Sequence, residues 1–316
     1  MKVAVLNDYQ RAVRTLAAFQ RLSGHAVEVF ADAERDEAKI AAKLAGFEAV
    51  VLIRERTRFT ASLIAKLPRL KLLVQTGKVG PHIDLEACRA RGVTVCDSGG
   101  SPVSTAELTW GLILIGLRDL PLEIARAKRG EWQGGLGRAA AGRRLGLIGF
   151  GRIAQRVARY AAAFEVPVTV WGRESTLARA RAAKLETAAT LAALCAACDV
   201  VSVHLRLIDA TRGLIKFEHL AAMKPDALFV NTSRAELVEP GALVRALKLG
   251  RPGKAAVDVF EDEPVFDPQH PLVSLPNVIA TPHIGFVERD TYERYFGDAF
   301  EAVNAFAAGT PVRVVT

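Results

Sequence analysis

The chain is poor in the residues that staple a fold or span a bilayer. Of 316 residues only four are cysteine, two methionine and three tryptophan, and aromatics make up 7%. So few cysteines exclude a disulfide scaffold and point away from an oxidising compartment. Cys195-Ala-Ala-Cys198 has CxxC spacing, but it closes a helical pattern and runs into a strand, whereas a redox pair opens a helix. A zinc site would need two more ligands at matching spacing, so no metal is expected. The longest apolar stretch, Leu108 to Leu117, falls short of the ~18–20 residues that cross a bilayer. Met1-Lys2 opens a strand-like run that meets Asn7-Asp8 almost at once, so no signal peptide is read. A cytoplasmic protein, neither membrane-bound nor secreted, is the expectation.

Charge of one sign is not concentrated either. Lys and Arg number 42 against 34 acidic residues, a net charge of +8. The basic residues are scattered among Ala and Leu, with no basic run and no interleaved aromatics. That suits an anionic small molecule and argues against nucleic acid. Half the residues are hydrophobic and 24% are charged, a globular composition. At ~150 residues per domain the length suggests two domains.

Two rounds of strand–helix alternation follow one another. Val3–Leu6, Val27–Phe30, Val50–Ile53, Leu70–Val74 and Val93–Cys96 read as strands interleaved with Ala/Leu/Arg-rich helical segments. A helix is expected from Val103 to Arg129, with Pro121 a point of kinking, and Gly130–Gly142 as a loop. Further strands are expected at Leu145–Ile148, Val168–Trp171, Val200–Val203, Ala227–Asn231, Ala255–Val259 and Val278–Ala280, and a last helix at Glu288–Ala308. The fold class is α/β, with two doubly wound parallel sheets covered on both faces.

Gly149-Phe-Gly151-Arg152-Ile153-Ala154 lies between a strand and a helical run, the context in which G-x-G-x-x-G/A binds a dinucleotide. The first glycine makes the turn, the second admits the pyrophosphate, and the third, small position lets helix and strand pack. The helix N-terminus then faces the phosphates. The next strand should end in Asp or Glu to bond the adenosine ribose; here Gly172, Arg173 and Glu174 follow it. Arg173 offers a fork to a 2′-phosphate, which leans towards NADP(H), while Glu174 keeps NAD(H) open.

Three later strand ends carry Asn231-Thr-Ser-Arg234, Asp258 followed by Glu263-Pro264, and Thr281-Pro-His283. In an open α/β sheet those ends face the ligand crevice. A 2-oxo acid needs a cation, which Arg supplies bidentately. The alkoxide left by hydride addition needs a proton, which His can give near neutrality. A carboxylate on the far ring nitrogen fixes the tautomer.

At these residues the sequence resembles the D-isomer-specific 2-hydroxyacid dehydrogenase family. Leu147–Ala154, Val203-His204-Leu-Arg-Leu207, Asn231–Arg234, Val257–Phe260 with Glu263-Pro264, and Thr281–Gly285 carry the resemblance in order. It implies a flavodoxin-like substrate-binding domain (1–100 and 287–316) and an inserted NAD(P)-binding Rossmann domain (101–286). Arg234 would orient substrate, His283 act as acid/base and Glu263 as its partner. The dinucleotide would meet Gly149, Gly151, Arg152, Ile153, Arg173, His204 and Asp258, the last holding the nicotinamide carboxamide. Substrate carboxylate would meet the loop Gly77, Lys78 and Val79, with Arg54 facing the same region. Lys78, where most members have no cation, is expected to hold a second acidic group or to be a plain loop lysine. Two departures stand out: Gly172 in place of the acidic residue, as in NADPH-preferring members, and Arg206 in place of proline. The implied activity is hydride transfer between NAD(P)H and a small 2-oxo or D-2-hydroxy acid, in a homodimer built on the dinucleotide domains. A non-catalytic dinucleotide-sensing protein of the same fold is the alternative, and a formate or phosphite oxidiser is a third reading.

Overall fold

The apolar runs before residue 100 form a five-stranded sheet. A computed structural model describes all 316 residues, which divide into two units, 1–101 with 287–316 and 102–286. In the first, β1 (Lys2–Val5), β2 (Ala26–Val29), α1 (Glu37–Leu44), β3 (Ala49–Leu52), α2 (Ala61–Ala65), β4 (Leu72–Gln75), α3 (Leu85–Ala90) and β5 (Thr94–Asp97) follow in order. The sheet order is β2-β1-β3-β4-β5, every neighbour parallel. Ala4, Val50, Leu52, Leu73 and Val95 pack on one face with α1 and α2, while Val3, Val5, Val51 and Val74 are buried on the other. The C-terminal tail closes the β5 edge, with Val315 N donating to Val95 O, so the sheet does not end in an open ladder on that side.

The connection between β1 and β2 departs from the expected alternation. It is not an α-helix but two 3-10 turns, Val13–Thr15 and Ala17–Leu22. Asp8 accepts from Ala12 N and Val13 N, both at 3.0 Å, and extended Leu16 separates the turns, which leaves no room for a continuous helix.

The second unit begins with α4 (Val103–Arg118) and α5 (Leu120–Lys128). The single helix expected over 103–129 breaks before Pro121, at Asp119 in the left-handed conformation, and Pro121 falls in the first turn of α5, where it loses no hydrogen bond. Then come β6 (Leu145–Ile148), α6 (Arg152–Ala163), β7 (Val168–Trp171), α7 (Glu174–Ala182), β8 (Glu186–Thr187), α8 (Leu191–Ala197) and β9 (Val200–Val203). After them follow α9 (Phe217–Ala221), β10 (Leu228–Asn231), α10 (Ala242–Leu249), β11 (Lys254–Val257), α11 (Pro271–Ser274) and β12 (Val278–Ala280). α12 (Arg289–Ala307) returns to the first unit. The two-residue β8 has no counterpart in the sequence reading, because so short an edge strand leaves no periodic signal.

The sheet order β12-β11-β10-β9-β6-β7-β8 reverses direction beside β6. Alternate residues serve two cores. Leu145, Leu147, Val200, Leu228, Val230 and Ala256 face α4 and α6, whereas Ile148, Val201, Val203, Phe229, Ala255 and Val257 face α8, α9 and α10. Burial on both faces is why these strands read as largely apolar runs rather than as alternating ones. No helix is long and apolar enough to cross a membrane.

Candidate active site

Parallel register aligns the chemistry. Trp171 pairs with Ile148, Ile148 with Val203, Val203 with Asn231, Asn231 with Val257, and Val257 with Ala280. These six residues form one row across the sheet. The residues that follow them, Gly172, Gly149, His204, Thr232, Asp258 and Thr281, therefore line its carboxyl edge. The chain winds outward from β6 in one direction through β7 and β8, then resumes on the other side at β9, so the crevice opens beside Gly149 and His204.

The two glycines of the turn have different reasons to be glycine. Gly149 has φ +94°, and a Cβ there would stand 2.5 Å from His204 O; fold geometry alone demands it. Gly151 has an ordinary φ of −82° and nothing within 4 Å of a Cβ position. No protein group needs it bare, and the open space beside it fits a pyrophosphate drawn close to the backbone. Arg152 and Ile153 start α6, whose cap has no side-chain hydrogen bond, so its first N–H groups have no intrahelical partner. Ala154 is fully buried, the tight helix–strand packing the third position requires.

At the end of β7, a Cβ on Gly172 would lie 2.8 Å from the Thr176 methyl group. The usual acidic residue has no room there. Arg173 is exposed beside it, and Glu174 pairs with Arg181 at 2.9 Å. Thr176 was not singled out in the sequence, where only a four-residue separation hints at the contact. At the end of β9, Ser202 Oγ lies 3.0 Å from His204 Nε2. Burial holds the His204 imidazole down at about 4, so it is neutral at pH 7 although the residue keeps some exposed atoms. Arg206 is exposed.

Three neighbouring strands deliver the remaining groups. His283 Nδ1 and Glu263 Oε2 are 2.5 Å apart, and Glu263 Oε1 accepts from Phe260 N at 2.9 Å. Nε2 of His283 makes no hydrogen bond within the chain. The ring meets Phe286 edge-on at 5.5 Å. Arg234 follows β10 by three residues, as His283 follows β12, and β11 alone lies between those two strands. Asn231 shapes the Arg234 loop, accepting from Ser233 N and donating to Arg234 O, both at 3.0 Å. Asp258 is buried and its carboxylate is occupied: Thr281 Oγ1 at 2.6 Å, Ile284 N at 2.8 Å and Gly285 N at 2.8 Å all donate to it. Its first task is thus to hold the His283 loop, one the sequence did not reveal. Burial pushes its carboxyl above the usual range.

The family model "D-isomer specific 2-hydroxyacid dehydrogenase, NAD binding domain" matches residues 110–285, the stretch that carries this edge. The chain belongs to the D-isomer-specific 2-hydroxyacid dehydrogenase family. It is an oxidoreductase of small hydroxy and oxo acids with an NAD-binding domain. The crystal structure of a phosphoglycerate oxidoreductase from Vibrio cholerae o395 superposes with a TM-score of 0.95 and 51% identity, covering 98% of this chain and 99% of that one. A glyoxylate reductase from Aeropyrum pernix is 37% identical over 265 residues, 80% of this chain and 78% of that protein. D-3-phosphoglycerate dehydrogenase from Methanocaldococcus jannaschii is 38% identical over 239 residues, 75% of this chain. The chain spans only 45% of that relative's length.

In the first unit of this dehydrogenase, Arg54 follows β3 with φ +53°. Its N–H donates to Thr76 Oγ1 at 3.0 Å, and its guanidinium lies against Gly77, where any side chain would collide with it. Gly77 N donates to Ser98 Oγ at 2.7 Å. The amides of Lys78 and Val79 donate to no group in the chain. Val79 packs on the core. Lys78 is 74% exposed and pairs with Asp97 at 2.9 Å, an occupation the sequence did not suggest.

Proposed function

We propose that the dehydrogenase reduces a small 2-oxo acid to the D-2-hydroxy acid, reversibly, with Arg234, Glu263 and His283 as its catalytic groups. The observation that carries the reading is the Glu263–His283 pair, with Nδ1 bound and Nε2 open, at the sheet edge that also holds the Gly149 turn. A nicotinamide dinucleotide, when bound, supplies or takes the hydride. Arg234 binds and polarises the oxo acid through its planar fork. His283 gives its Nε2 proton to the carbonyl oxygen as negative charge develops there, and recovers it from the alcohol in reverse. Glu263 holds the Nδ1 proton, so the neutral ring presents a bare Nε2 that takes the alcohol's proton, and it stabilises the imidazolium that gives that proton back to the carbonyl oxygen in the reduction. A dinucleotide sensor has no use for such a pair.

Gly149, Gly151, Arg152, Ile153, His204 and Asp258 are proposed to hold the coenzyme. For its identity the reading leans to NADP(H). The methyl group of Thr176 excludes an acidic side chain at 172, and exposed Arg173 stands next to that position. The unpaired amides of Lys78 and Val79, with Arg54 beside Gly77, support that loop as the carboxylate site. The Asp97 partner of Lys78 favours its plain structural reading over a grip on a second acidic group.

A homodimer and a cytoplasmic location belong to the same proposal. No residue of α5 is buried, and Leu122, Ile124 and Trp132 stand 48%, 54% and 84% exposed, an apolar face suited to a second copy. All four cysteines are free and buried. The deciding experiment follows nicotinamide absorbance with NADPH or NADH and a panel of 2-oxo acids (glyoxylate, hydroxypyruvate, pyruvate, phenylpyruvate, oxaloacetate). Coenzyme binding without turnover on any of them would sink the enzyme reading, and a monomer by sedimentation would sink the dimer.

A further inference from the structure

α4 carries Ser104, Thr105 and Thr109 near its start, and Ser104 and Thr109 are buried rather than turned to water. Each has a partner far away in sequence. Ser104 Oγ and Thr105 Oγ1 both donate to Gly285 O, at 2.5 and 2.9 Å. Thr109 Oγ1 lies 2.7 Å from Thr232 Oγ1 and donates to Thr105 O at 2.7 Å. Gly285 stands two residues after His283, and Thr232 two before Arg234. A short stretch of one helix thus grips both loops.

The His283 loop needs such a hold. His283 has φ +51°, a conformation that costs an L-residue about 1–2 kcal/mol. From one side Asp258 takes the amides of Ile284 and Gly285; from the other, α4 takes the Gly285 carbonyl. Gly285 sits closely between them: a Cβ would stand a tight 3.1 Å from Asp258 Oδ2 and in ordinary contact, 3.4 Å, with Thr105. The Arg234 loop is tied to β9 by Ser233 Oγ donating to Val203 O at 2.7 Å and to α4 by Thr232. A rigid helix is therefore the element common to both loops.

We propose that Ser104, Thr105 and Thr109 are positioning residues, whose hydroxyl groups make α4 a shared rail setting the separation of the Arg234 guanidinium from the His283 imidazole. This rests on the catalytic reading of those two side chains given above. Rate is steeply sensitive to such spacing: a misplacement of about 1 Å can cost ~100-fold.

The test pairs kinetics with backbone amide hydrogen exchange in the intact protein. Ser104→Ala with Thr105→Val should speed exchange of the Ile284 and Gly285 amides about tenfold, the worth of one to two lost hydrogen bonds, and leave Phe229 in the central sheet unchanged. The same variant should lower kcat about tenfold while KM and coenzyme affinity stay within about twofold. Thr109→Val should lower kcat similarly, and Thr109→Ser, which keeps the hydroxyl group, should restore it. Unchanged exchange at 284 and 285, or a drop in Tm with kcat intact, in a parent that turns over would overturn the rail alone. A parent that reduces no 2-oxo acid would overturn the catalytic reading first and this one with it.

Discussion

Glu263 grips His283 through one carboxylate oxygen at 2.5 Å and the Phe260 amide through the other at 2.9 Å. The acid is thereby anchored to its own loop while it orients the imidazole. Glu263→Gln keeps the shape and loses the charge that stabilises an imidazolium. Its kcat should fall about 100-fold, and His283→Ala should fall further, towards ~10⁴-fold. Coenzyme affinity, measured by nicotinamide fluorescence, should hold in both. Full activity in either variant would remove the pair from the reaction.

The contrast between Gly149 and Gly151 separates folding from ligand binding. Gly149→Ala meets a left-handed φ and the His204 carbonyl together, and should destabilise the fold by roughly 2 kcal/mol or more. Gly151→Ala meets neither, so its urea midpoint should match the parent while dinucleotide affinity drops at least about tenfold. Equal behaviour of the two variants would contradict the assignment of the space beside Gly151.

Coenzyme choice turns on Gly172, Thr176 and Arg173. Arg173→Ala should weaken NADPH binding by about 10–100-fold, the range of a charge-assisted hydrogen bond, and NADH little. Gly172→Asp should be poorly tolerated alone because of the Thr176 methyl group, whereas Gly172→Asp with Thr176→Ala should turn the preference towards NADH. Titrations showing equal losses for both coenzymes in Arg173→Ala would dispose of the 2′-phosphate role.

His204 should make stability depend on pH in acid. Its folded value is about 4 against a usual 6.5. Between those values the unfolded chain binds a proton that the folded chain refuses, so stability falls as pH drops through this window and levels off below it. The full effect is on the order of 3 kcal/mol. His204→Gln should flatten this part of the profile when urea midpoints are compared across the window. Parallel profiles for parent and variant would show that the ring does not titrate this way.

Residue order along the chain was enough for what depends on neighbours in sequence. β6, β7, β9 and β12 match the strands expected, because strands of a covered parallel sheet are short, largely apolar and β-branched runs bounded by polar residues. The Gly149 turn was legible because a strand-to-helix turn sets its demands within six residues, and Arg234 and His283 stood out as candidates because each comes three residues after such a strand. Tertiary structure decided what depends on residues far apart. The row from Trp171 to Ala280 exists only through register, the Asp258 clamp only because β11 and β12 lie side by side, and the hydroxyl grip of α4 only because its first turns reach the loops after β10 and β12. The helix break at Asp119 and the 3-10 turns after β1 were likewise settled by packing and by the Asp8 carboxylate, since local propensity is weak beside the contacts a folded chain can make.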